Sequence, residues 1–176
     1  MALVIDANIV AGHYKETVLC IAIGLKNNLT ASTVPLFSGL GASDTCYLDE
    51  GTVIENEWRA PVSPEWFDAW FSDLLASGKA QIIPARPNQA LEKRLRDKGF
   101  PQARNRDMWY VRTCCAVLQS QTCDVVRLIT EDIDFYDPTK KLGSPKTRRK
   151  TIEDGGGPVR KLLKKEAILV TALCHD

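Results

Sequence analysis

The sequence contains no CxxC pair, and its six cysteines (20, 46, 114, 115, 123 and 174) share no zinc-like spacing with its two histidines, His13 and His175. That spacing excludes a Cys/His zinc module. The same cysteine usage fits a reduced, cytoplasmic protein without disulfides, with Cys114 and Cys115 as small apolar filler in a helix. The opening "MALVIDANIV" has neither a basic n-region nor a long apolar core, so no secretory signal is expected. The apolar run "TVLCIAIGL" (17–25) is far too short to span a bilayer, and no membrane partner is expected. Formal charge is only +1, which removes any global field toward nucleic acid or membrane. Internal repeats and low-complexity segments are also absent.

What is present is an ordinary globular composition. With 176 residues, 44% apolar and 26% charged, the chain suits one domain (1–176) with a hydrophobic core. Short apolar or β-rich runs predict strands over 2–5, 45–49, 80–85, 124–130 and 167–173. Helices are expected from 15 to about 25 and over 52–60, 63–78, 87–99, 105–121 and 158–165. Ser63, Pro64 and Gly78 supply the cap, first-turn proline and stop of one of them. Alternation of strands with helices argues for a parallel α/β sheet covered on both faces. The segment 137–157 reads as a flexible, glycine-containing basic loop; ten of the 23 Lys and Arg residues lie between Lys140 and Lys165.

The informative stretch is "LITEDIDFYDP" (128–138), where an apolar strand runs straight into Glu131, Asp132 and Asp134. Ligands in open α/β sheets gather at the carboxyl ends of strands. Asp6 ends the first strand, and Asp132 and Asp134 follow the fourth, so these acids meet if the two strands are neighbours. Asp107 opens the long helix on the edge of its apolar face, where helix capping is the alternative role. In "TVIENEW", Glu57 borders the apolar side set by Val53, Ile54 and Trp58 more closely than Glu55 does. Five carboxylates in one pocket cannot all ionise unaided. Mg²⁺ or Mn²⁺ removes the conflict, and two ions roughly 4 Å apart suit hydrolysis of a phosphate ester.

With those residues in place, the chain resembles the PIN domain family of small metal-dependent nucleases. The likeness rests on "LVIDANIV", the internal Glu on a short helix, Asp107 at a helix start, and "LITEDIDF". The last matches the family's Thr-x-Asp-x-Asp-Phe pattern through Thr130, Asp132, Asp134 and Phe135. It implies a three-layer α/β fold with strand order 3-2-1-4-5, Mg²⁺ or Mn²⁺ at the carboxyl edge, and endoribonuclease activity. Asp6, Glu57, Asp107 and Asp132 then form the acidic quartet, with Asp134 accessory. Asn8 orients a ligand or water, and Thr130 fixes the loop by hydrogen bonding. The partner implied is single-stranded or structured RNA. A toxin role with a protein regulator such as an antitoxin, and a homodimer, are further expectations of this kind.

Lys140, Lys141, Lys146, Arg148, Arg149 and Lys150 are read either as a solvated loop or as a phosphate clamp beside the acids. Lys93, Arg94, Arg96, Arg104 and Arg106 read as a surface face, Trp58, Trp66 and Trp70 as core or interface, and His13 as a loop histidine. Two other functions stand beside the ribonuclease: a non-enzymatic RNA- or protein-binding module, and a structure-specific DNA nuclease using the same metal chemistry.

Overall fold

A computed structural model describes residues 1–20, 29–101, 106–120 and 123–175. Strand β1 (Ala2–Ile5) is buried at every position, as a central parallel strand covered on both faces must be. It is followed directly by α1 (Ala7–Thr17), then α2 (Val34–Gly39), β2 (Thr45–Asp49) and α3 (Val53–Arg59). Next come α4 (Pro64–Ala76), β3 (Ala80–Ile83), α5 (Gln89–Arg96), α6 (Asp107–Gln119) and β4 (Val126–Ile129). The remaining elements are α7 (Pro145–Glu153), α8 (Pro158–Lys165) and β5 (Ile168–Thr171), with short 3-10 turns at Ile133–Phe135, Pro138–Lys140 and Leu173–His175.

The five strands form one all-parallel sheet in the order β3-β2-β1-β4-β5, with helices on both faces. The order expected from the resemblance is therefore the order found. Its consequence is register: Ile5 pairs with Ile129, so the residues just beyond, Asp6 and Thr130, emerge side by side. Ala2–Ile5, Val126, Leu128, Ile129, Ile54, Trp58, Tyr110 and Phe135 pack into one apolar core beneath that edge. The indole Nε1 of Trp58 donates to the carbonyl of Ile5 at 2.9 Å, which locks α3 against the end of β1. Trp58 is core, whereas Trp66 and Trp70 are half-buried and stack on each other at 4.9 Å. Cys114 and Cys115 are buried in α6, as filler would be.

Three expectations are corrected. The helix placed at 15–25 begins at Ala7 and ends at Thr17; positions 21–25 of that expectation lie outside the described residues. Asp6 explains the early start, since its carboxylate accepts from the Asn8 N–H as an N-cap. His13 is accordingly a helix residue; its Nδ1 lies 2.9 Å from Thr33 Oγ1 and its ring packs on Phe37. Finally, the basic segment 137–157 is not simply a loop. It carries α7, capped by Ser144, whose hydroxyl accepts from the Thr147 N–H at 3.2 Å, with Pro145 in the first turn. Among the described residues no helix is long and apolar enough to cross a membrane.

Candidate metal centre

The carboxyl edge gathers acids from four parts of the chain. Asp6 follows β1, Glu57 projects from α3, Asp107 is the first residue of α6, and Asp132 and Asp134 follow β4. One carboxylate oxygen each from Asp107, Asp132 and Asp134 lies within 4.8 Å of the other two. Asp6 feels the charges of Asp132 and Asp107, and Asp107 feels those of Asp132, Glu57 and Asp134. All five acids thus share one electrostatic neighbourhood, with Asp107, Asp132 and Asp134 at its tightest point.

Local hydrogen bonds hold this arrangement. The Thr130 hydroxyl donates to Asp6 Oδ2 and accepts from the Asp132 N–H at 3.0 Å, tying the ends of β1 and β4 together. Asn8 Nδ2 donates to the same Asp6 oxygen at 3.0 Å, while Asn8 Oδ1 is buried without a partner among the described residues. Asp132 Oδ1 accepts from the Asp134 N–H at 2.9 Å and so starts the 3-10 turn that aims Asp134 inward. Asp134 is 1% exposed; its Oδ2 accepts from the Lys141 ammonium, and its Oδ1 has no partner among the described residues.

Burial dominates the protonation of these groups. It raises the Asp6 carboxyl to about 7 against the opposing Thr130 bond, with Asp132 and Asp107 adding to the rise. It likewise raises Asp107 to about 7, helped by Asp132, Glu57 and Asp134 and resisted by Lys141. Glu57 and Asp132 are shifted up as well, again mainly by burial. Asp6, Glu57, Asp107 and Asp132 thus resist losing their protons, as the crowding of like charges in a partly dry pocket requires.

Several contributors were not singled out in the sequence. Tyr110 in α6 hydrogen-bonds Glu57, and its hydroxyl accepts from the Ala7 N–H at 3.1 Å, so one buried ring positions α1, α3 and α6 together. Asp49 ends β2 as Asp6 ends β1, and that parallel was the available signal. Its carboxylate receives the N–H groups of Val53 and Ile54 at 3.0 and 2.8 Å, capping α3 and orienting Glu57. Arg106, expected on a surface face, brings Nε to 3.8 Å from Glu57 Oε1. Glu131 points away from the cluster: it accepts from Thr30 N at 2.8 Å and Leu173 N at 3.3 Å, a structural role.

The six basic candidates divide. Lys141 is drawn to Asp134. Lys146, Arg148 and Arg149 line a cleft of about 630 Å³ that also exposes Asn8 and Asp132. Lys140 and Lys150 are exposed and do not line it. Arg104 lies outside the described residues. This acidic edge, opening onto a cleft lined by both cations and the carboxylates of Glu131 and Asp132, is what the chain offers for a functional assignment, for no protein-family model, curated protein or solved structure matches it.

Proposed function

We propose that the protein is a metal-dependent nuclease of the PIN type that hydrolyses RNA phosphodiester bonds with Mg²⁺ or Mn²⁺. One observation carries the reading: Asp107, Asp132 and Asp134 converge within 4.8 Å, and the buried Asp134 presents an oxygen that no described residue satisfies. A buried carboxylate oxygen without a donor is costly, and a cation is the partner that removes the cost. The donor set fits hard divalent ions, because it consists of carboxylate oxygens with no thiolate or imidazole among them. Asp107, Asp132 and Asp134 would hold such an ion, with Asp6 and Glu57 flanking it.

When bound, a divalent ion activates water and offsets charge on the phosphate being attacked. The chain's own groups do the rest. Thr130 and Asn8 keep Asp6 in place, and Tyr110 keeps Glu57 turned toward the cluster. Water attack forms a new P–O bond, the bond to the leaving oxygen breaks, and the water proton passes to a nearby carboxylate. Asp6, which flanks the ion rather than holding it and is raised to about 7 by burial, suits proton exchange near neutrality.

The test is cleavage of single-stranded RNA by the purified protein with Mn²⁺, beside the Asp132→Asn variant. The wild type is expected to cut and the variant to lose at least about a hundredfold in rate, a typical cost of removing a catalytic electrostatic group. Equal activity, or none in either, would remove the catalytic reading. Lys141 against Asp134 favours one alternative, a binding module whose acids are neutralised internally. In that case millimolar Mn²⁺ leaves thermal stability unchanged, whereas an ion bound to the native state must raise it.

A further inference from the structure

The acidic edge carries a cation of its own. The Lys141 ammonium donates to Asp134 Oδ2, and Asp132 and Asp107 lie within electrostatic range of the same charge. These are the three carboxylates that converge within 4.8 Å. The lysine matches them poorly in two respects. One positive charge faces three acids, and it satisfies one oxygen of Asp134 while Oδ1 has no partner among the described residues. The main chain around Lys141 is held in place. Asp137 Oδ1 accepts from the Thr139 N–H at 3.1 Å, the Lys141 N–H donates to the Pro138 carbonyl at 3.1 Å, and the Gly143 N–H donates to the Lys140 carbonyl at 2.8 Å. Asp134 is buried, whereas the lysine side chain is 56% exposed. The ammonium can therefore leave by rotation of its own side chain, with no loop to move.

We propose that the Lys141 ammonium is a resident counterion of the metal seat, so that loading is an exchange, divalent ion in and ammonium out, and that this exchange selects ions by their charge. The inference rests on the metal reading of the site. A divalent ion answers both defects of the lysine pairing, since it brings twice the charge and takes several oxygen ligands at once. A sodium or potassium ion brings no more charge than the lysine. The lysine is tethered, and therefore present at high effective concentration, so a monovalent ion of equal charge does not displace it. Without a divalent ion, the ammonium offsets part of the cost of burying Asp134 and so supports the native fold. Lys141 is thus a specificity residue for the ion, acting through the carboxylates that would hold it.

Neither arm of the test reads cleavage. In the first, wild type and variants are titrated with Mn²⁺ in a calorimeter and melted in chelator. Lys141→Ala is expected to bind Mn²⁺ about tenfold tighter, yet to melt about 2 °C lower in chelator. A residue that merely supports the fold would lose both affinity and stability. Lys141→Arg keeps the charge and should stay close to wild type in both readings, as should Lys140→Ala, a change at the exposed neighbour. In the second arm, the wild type is acetylated with acetic anhydride and each lysine is followed by mass spectrometry. Lys141 should react several-fold faster in saturating Mn²⁺ than in chelator, while potassium chloride at matched ionic strength leaves its rate unchanged and Lys140 reacts equally throughout. This arm decides alone if Lys141→Ala does not fold. Mn²⁺ bound equally by wild type and Lys141→Ala, or Lys141 acetylation indifferent to Mn²⁺, overturns the exchange and leaves the metal reading standing. No Mn²⁺ binding in either protein sinks both.

Discussion

Among individual residues, the difference between Glu55 and Glu57 shows how much helix phase decides. Glu55 pairs with Arg59 at 3.2 Å, one turn along α3, while Glu57 turns toward Tyr110 and the acids. That distinction follows from 3.6-residue periodicity and was legible in the sequence. Lys141 was legible only as one more cation in a basic run. Its pairing with Asp134 arises because the turn at Ile133–Phe135 and the next at Pro138–Lys140 fold the chain back within seven residues. An ammonium there opposes entry of a second cation. Lys141→Ala is accordingly expected to tighten Mn²⁺ binding by roughly tenfold in calorimetry, less than a buried pair would give because the lysine side chain is 56% exposed. Weaker binding in the variant would mean instead that the lysine supports the site.

At the scale of elements, the sheet strands and α8 lie close to where composition and periodicity put them, because apolar runs between turn signals bury in one way only. The exceptions are α1, α2 and α7. Asp6 was read for its charge at a strand end, which obscured its second use as the cap of α1. Ser144-Pro145 repeats the Ser63-Pro64 start of α4, yet the density of lysine and arginine after it reads as solvated loop. Tertiary contact decides the matter: Ile152 is buried, anchoring an otherwise polar helix. The link from α7 to α8 depends on Gly157, whose φ of 113° favours glycine and whose absent Cβ would fall 2.1 Å from the Tyr136 carbonyl oxygen. Gly157→Ala should therefore cost about 3 kcal/mol in denaturant unfolding, combining backbone strain with a main-chain clash. An unchanged midpoint would show that the link can move aside.

For the whole molecule, the acidic edge sets the response to pH and metal. Asp6 and Asp107 are raised to about 7 in the folded protein, from 3.8 for the ordinary side chain. Between those values the metal-free native state holds protons that the unfolded chain has released. Stability present at low pH is therefore lost as pH rises through about 7. Glu16 and Glu92 are shifted down, Glu92 chiefly by its Arg112 partner, and act below this window. His13, lowered by burial, opposes the trend only up to its ordinary value of 6.5. The expected outcome is a melting temperature in chelator that falls between about pH 5 and 7 and levels off above that, and a fall that saturating Mn²⁺ abolishes while protons are released. A curve that is flat over that range without metal would show that the acids are not crowded in solution.

The sequence by itself determined the alternation of strands and helices and the identity of the acids at their ends, because both are local: burial periodicity and residue type suffice. It carried the candidate quartet by order along the chain. Only the tertiary structure decided that Asp107, Asp132 and Asp134 form the tight group, that Thr130 couples Asp6 to Asp132, and that α7 sets its cations across a cleft from them. Those facts depend on the pairing of β1 with β4 and on the packing of α6 and α7 around that edge, which join residues more than a hundred positions apart. No local pattern encodes such distances, since they result from how the entire core closes.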